Sequence, residues 1–151
     1  MLYTKDRQAI VKEATQWLLT PYRGWSRLKG LGADCIGFVA GVYIRTKHIT
    51  EQEADEAIPP DYSLQIGQHQ EDTEYIEGIK KFMREIPLHE VRPGDVAMFK
   101  MALAYSHSAI VVNYPLILHS LAHGGVRYAD AIRQPMLAGK PVRFFTLQDG
   151  R

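Results

Sequence analysis

The chain has 151 residues, 46% apolar and 23% charged, the balance of a globular protein that buries a core without disulfide or metal staples. A formal net charge of +1 leaves no electrostatic footprint for nucleic acid or an anionic membrane, and a single cysteine excludes an internal disulfide. The N-terminal MLYTKDRQAI has charges where a signal peptide needs an apolar core, and no apolar run reaches membrane-spanning length, so synthesis and residence in the cytoplasm are expected.

In chain order, Ile10, Val11, Ala14, Trp17 and Leu18 recur at helical spacing and predict a helix over Asp6 to Leu19, stopped by Pro21. PYRGWSRLKGLGAD, glycine-rich, basic and without periodicity, reads as a loop. A second helix is predicted from Cys35 to about Arg45, with Asp34 as its N-cap. Thr50 to Gln70 reads as a long polar excursion with a short helix near Glu51 to Ala57, and Glu71 to Ile86 as one further helix. After Pro87, short segments rich in β-branched and aromatic residues predict strands over Asp95–Lys100, His107–Val112, Leu116–Leu121, Val126–Ala129 and Val142–Leu147. Helices first and strands afterwards predict an α+β fold, with helices packed on a small antiparallel sheet. No break in composition divides it, so a single domain over 1–151 is expected.

Cys35 stands at the junction of a glycine-rich loop and an apolar helix. A lone cysteine is ordinarily core filler. At a helix start, however, its sulfur would lie beside unpaired backbone N–H groups and the positive end of the helix dipole, which favour a thiolate nucleophile. Such a nucleophile needs a base, normally histidine, and a third polar group to orient the ring. His48, His69 and His89 lie in polar stretches and read as solvated, and His123 reads as a turn residue. His107 and His119 fall in predicted strands of one hairpin. A turn of odd length centred on Asn113 would set them directly opposite on one face, about 4.5–5.5 Å apart at Cβ. A two-residue turn would put them on opposite faces. The odd register is the expected one, because Pro115 is better kept in the loop. Asp95, in RPGDV, reads as a turn former, and Arg23, Arg27 and Lys29 as loop charges able to meet substrate carboxylates.

The tyrosine of TPYRG, DC-x-GFV at the start of a helix, RPGDVAMF at the start of a strand, and H-x-AIVV followed by LHS together resemble the NlpC-type, papain-like cell-wall cysteine peptidases, from Trp17 to about Val126. The longer loop RGWSRLKGLGAD is similar to the phage and prophage tail-associated branch. The resemblance implies a papain-like core and hydrolysis of amide bonds in peptidoglycan stem peptides through an acyl-enzyme. It assigns Cys35 as nucleophile, His107 as general base and His119 as orienting group. Tyr22 takes the position that bonds the oxyanion or substrate, and Asp34 one that receives the substrate's free amine. The implied partners are stem peptides and phage tail proteins, and the implied place of action is the cell wall. Ile36 stands where the family often has serine, and Ala109 where it often has glycine. Three alternatives stand beside this reading: a structural tail component that keeps the fold, an acyltransferase using the same cysteine, and a zinc site made of Cys35, His107, His119 and His123. The lack of a CxxC-like ligand pair argues against zinc, and no metal or cofactor is expected.

Overall fold

In a computed structural model of the chain, residues 4–58 and 74–148 are described. Helix α1 (Thr4–Thr15) buries Arg7, Ile10 and Ala14 on one face, as the i, i+3, i+7 spacing dictates. It ends earlier than the periodicity predicts, because Leu19, with φ at 67°, turns the chain out of helix into a loop. Within that loop two short strands, β1 (Arg27–Leu28) and β2 (Gly32–Ala33), pair antiparallel, a ribbon that composition alone does not reveal.

Helix α2 (Cys35–Arg45) is apolar almost all round, and every residue from Ile36 to Tyr43 is buried. Such a helix belongs in the centre of a core. Helix α3 (Glu51–Ala57) opens on a capping box in which Thr50 and Glu53 satisfy each other's backbone N–H. The predicted excursion beyond it, residues 59–70 with His69, lies outside the described residues.

The single helix predicted over Glu71–Ile86 is corrected. Helix α4 (Glu74–Ile79) stops after six residues, and β3 (Met83–Ile86) is a strand paired with the C-terminal strand. Met83 and Ile86 are buried while Arg84 and Glu85 between them are exposed, a spacing that suits a helix as well as a strand. Pairing to the sheet edge, a tertiary contact, decides between them. A 3₁₀ turn (Leu88–Glu90) leads to β4 (Val96–Met101), β5 (Ala104–Asn113), β6 (Leu116–Leu121), β7 (Gly125–Asp130) and β8 (Val142–Leu147). The six-stranded sheet has the order β3-β8-β4-β5-β6-β7, with every pair antiparallel.

Alternation along the strands feeds two cores. Met98, Ile110, Leu118 and Phe145 face the helices and pack with Ile10, Trp17, Phe38 and Val42. Phe99, Ala109, Ile117 and Phe144 point to the other face, where Ala131 and Leu137 of the β7–β8 connection cover them. Each fully buried aliphatic or aromatic side chain here is worth about 1.5–3 kcal/mol relative to exposure. Asp95, expected as a turn former, accepts the Arg92 N–H at 2.8 Å and also a buried ion pair from Arg7 at 2.8 Å, which locks α1 to the start of β4. Among the described residues no helix is long and apolar enough to cross a membrane.

Candidate active site

The site forms where β5 and β6 part. Their pairing ends at Ile110 opposite Leu118, and beyond that pair both strands hold the chain that starts α2. Ser108 on β5 donates its hydroxyl hydrogen to the Cys35 carbonyl oxygen at 3.1 Å, and Ser120 on β6 donates to the Ala33 carbonyl at 2.6 Å. The Cys35 Sγ contacts the Ser106 carbonyl oxygen at 3.6 Å. Residues 106 and 108 therefore both touch Cys35, and His107 lies between them.

The two histidines meet as expected, by a different route. The hairpin closes on a two-residue turn, Tyr114-Pro115, between the paired residues Asn113 and Leu116. That turn alone would send the rings to opposite faces. A bulge between Val111 and Asn113 adds one residue and restores a common face. The expected register is thus corrected: His119 stands level with Ala109, so the histidines are diagonal neighbours and not directly opposite. His107 Nε2 and His119 Nδ1 lie 2.8 Å apart, with ring centroids at 5.0 Å in an edge-to-face arrangement. If His107 is to use its Nδ1 as a base, its proton sits on Nε2 and is donated to His119 Nδ1. The His119 proton is then on Nε2, which is buried with no hydrogen-bond partner among the described residues.

Asp34 is the N-cap of α2. One carboxylate oxygen accepts the Gly37 N–H at 2.7 Å and the other the Trp25 N–H at 2.7 Å. With 0% of its surface exposed, it acts here as a cap that ties the ribbon loop to the helix. The Gly37 N–H goes to the Asp34 side chain and the Phe38 N–H to its carbonyl, which leaves the Cys35 and Ile36 amides as the first-turn donors nearest the sulfur.

Charge at this helix tip differs from the sequence expectation. Burial pushes the Cys35 thiol up to about 11; backbone and hydroxyl hydrogen bonds from Ser108 and the Ile36 amide favour the thiolate, while the Asp34 carboxylate opposes it. Burial lowers His107 to about 3, with His119 adding to the effect, and lowers His119 to about 4. In the free site these shifts favour a neutral thiol and neutral imidazoles. The Asp34 anion sits at the same positive end of the helix and offsets part of what that end gives the sulfur.

Tyr22, half-buried, is raised to about 12 by burial and by the proximity of Cys35 and Asp34, which places its phenol at the edge of the same cluster as a neutral donor. Arg27 and Lys29 are not free loop charges: Arg27 pairs with Glu51 and Asp55, and Lys29 with Glu13. His48 bonds Thr46 Oγ1, while His89 and His123 are exposed. Among the described residues no group of three or more His, Cys, Asp and Glu side chains is placed to hold a metal ion. Sequence reasoning missed Ser108, Ser120 and Tyr75, whose hydroxyl donates to Ser108 Oγ at 2.8 Å. The available signal was modest: each serine directly follows one of the paired histidines.

A sheet, a central helix with cysteine at its start, and a histidine pair on the facing strands make up a papain-like α+β fold. Residues 20–143 match the NlpC/P60 family, and the chain belongs to that family, whose members are mostly cysteine peptidases of peptidoglycan and include non-catalytic domains. The NlpC/p60 domain of the peptidoglycan hydrolase SagA superposes with a TM-score of 0.59 at 18% identity, over 91% of this chain and 96% of that one. RipD from Mycobacterium tuberculosis, a non-catalytic NlpC/p60 domain protein adapted to peptidoglycan binding, gives 0.59 at 13% identity over 97% and 100%. An NlpC/P60 family protein from Bacillus cereus gives 0.58 at 19% identity, with 91% of this chain matched to only 39% of that longer one. At these identities the likeness is one of fold. No curated protein sequence matches the chain.

Proposed function

We propose that the chain is a cysteine peptidase that hydrolyses amide bonds of peptidoglycan stem peptides through an acyl-enzyme on Cys35. The observation that carries this reading is the joint placement of Cys35 against residues 106 and 108 with His107 bonded to His119 at 2.8 Å. Because burial favours the neutral form of both groups, the thiol proton moves to His107 Nδ1 as sulfur attacks the carbonyl. The new C–S bond and a short-lived oxyanion form together, and His119 holds the imidazolium by accepting from Nε2. The Cys35 N–H and the Tyr22 hydroxyl are the donors offered to the oxyanion, and losing one such donor typically costs about a hundredfold or more in rate. The C–N bond then breaks as His107 returns the proton to the leaving amine, and water, deprotonated by His107, releases the acid and frees the thiol.

The setting we favour is a phage or prophage tail that delivers the enzyme to the cell wall after synthesis in the cytoplasm. Its support is the basic loop between Tyr22 and Cys35, similar to that branch. Tail proteins are then the partners, and peptidoglycan stem peptides the substrate. Mass spectrometry of peptidoglycan fragments after incubation tests the activity. Wild type should release cleaved stem peptides and Cys35→Ala, folded by circular dichroism, should not; an unchanged fragment pattern with folded wild type would favour a binding role such as RipD's.

A further inference from the structure

The half-buried Cys35 thiol, next to the Asp34 carboxylate, has to lose its proton during the reaction, and the first-turn amides are one source of hydrogen bonds to the anion. The structure offers another source on β5. Ser108 is fully buried, and its hydroxyl is the middle member of a chain that runs from α4 to α2. Tyr75 O–H donates to Ser108 Oγ at 2.8 Å, and Ser108 Oγ–H donates to the Cys35 carbonyl at 3.1 Å. Tyr75 is partly buried against the main core and lines an apolar cavity together with Ile36, Ala57, Ile79 and Phe82, with its hydroxyl turned to Ser108. A serine hydroxyl has one hydrogen and two lone pairs. With Tyr75 occupying a lone pair, the single hydrogen of Ser108 is left to choose between two acceptors on the same residue, the Cys35 carbonyl and the Cys35 sulfur.

From this geometry we infer that Ser108, held by Tyr75, is a catalytic hydroxyl that swings its hydrogen from the Cys35 carbonyl to Sγ as the thiolate forms. It works together with the Ser108 backbone N–H, which also faces the sulfur. The Tyr75 donation polarises the Ser108 O–H and strengthens the bond it gives to the anion. No bond is made or broken at Ser108; only a hydrogen bond changes acceptor, and the thiol proton still goes to His107. The catalytic part of this inference rests on the proposed peptidase reading, whereas the effect on the thiol does not.

The chain has one cysteine, so iodoacetamide labelling followed by intact mass reads Cys35 alone. Alkylation rates are measured between pH 7 and 11 without substrate on wild type, Ser108→Ala, Ser108→Thr and Tyr75→Phe, each checked for folding. Loss of a hydrogen bond to an anion shifts its pKa by about one unit, so Ser108→Ala should label about tenfold more slowly at pH 8, with a smaller deficit at pH 11. Ser108→Thr, which keeps the hydroxyl, should label near the wild-type rate, and Tyr75→Phe should be slowed several-fold. A Ser108→Ala rate within twofold of wild type would overturn the inference, as would a deficit that is the same at every pH or that threonine fails to reverse. If Ser108→Ala does not fold, Tyr75→Phe decides: an unaltered labelling profile rejects the relay. Slowed labelling with no peptidoglycan cleavage by wild type would reject the peptidase reading and leave the hydroxyl's effect on the sulfur standing.

Discussion

Burial favours the uncharged forms of Cys35, His107 and His119, and this has a consequence for acid stability. The ordinary histidine value is 6.5, while His107 sits at about 3 and His119 at about 4 in the fold. As pH falls below about 6.5, the unfolded chain takes up protons that the folded chain refuses. Stability contributed by these two neutral rings is present above the unfolded value and is lost on acidification toward about 3. The melting temperature should therefore fall steadily from pH 6.5 to pH 4. A His107→Asn/His119→Asn variant should show a shallower fall when thermal melts are compared across that range; equal slopes would contradict the neutral pair. At this scale the sequence was informative about identity and silent about charge. The position of Cys35 after Asp34 marked a candidate nucleophile, while burial opposes its thiolate and the Asp34 anion shares the same helix end. Periodicity cannot show which of two neighbouring residues captures a dipole.

Among elements, the contact between the ribbon loop and α2 governs the site's shape. A Cβ built on Gly37 would lie 2.0 Å from the Ser26 carbonyl oxygen, a backbone atom with no rotamer to yield. Gly37→Ala should therefore push β1–β2 off the helix, break the Trp25 N–H bond to Asp34, and cost about 2–3 kcal/mol in denaturant unfolding. Hydrolysis should fall with it, since Tyr22 travels with that loop. Helix α2, its cap, α3 and the strands from β4 onward were legible because their patterns are local. The strand at Met83–Ile86 was not: Met-Arg-Glu-Ile has no period that distinguishes strand from helix, and its partner, β8, lies at the far end of the chain. The histidine hairpin shows a related limit. The shared face was foreseen, but it results from a two-residue turn compensated by a bulge, and bulges leave no signature in a ten-residue strand.

For the molecule as a whole, the Arg7–Asp95 pair carries the join between the N-terminal helix and the sheet. Arg7 NH1 also donates to the Pro93 carbonyl at 3.0 Å, and the Tyr43 hydroxyl donates to the Gly94 carbonyl, so the turn before β4 is gripped from α1 and α2 together. Removing one member of a buried pair leaves the other charge uncompensated, which typically costs about 3–5 kcal/mol. Asp95→Ala should lower unfolding stability by about that amount while the folded fraction keeps the wild-type rate of Cys35 alkylation, because Asp95 touches neither the sulfur nor the histidines. Loss of thiol reactivity in the folded variant would show the two regions to be coupled. Fold class was readable at this scale from the order of helices and strands, and the resemblance in TPYRG, DC-x-GFV and H-x-AIVV named the candidate site residues. The donors that complete the site come from side chains brought together only by the sheet.

The central claim is that Cys35 forms a covalent acyl-enzyme with a stem peptide. Rapid-quench intact-mass analysis of the protein mixed with a soluble stem peptide tests it directly. The account predicts an adduct of the acyl fragment's mass on wild type, removed by hydroxylamine and missing in Cys35→Ala. Peptide cleavage that proceeds at the same rate in Cys35→Ala, with no adduct at any time, would contradict it.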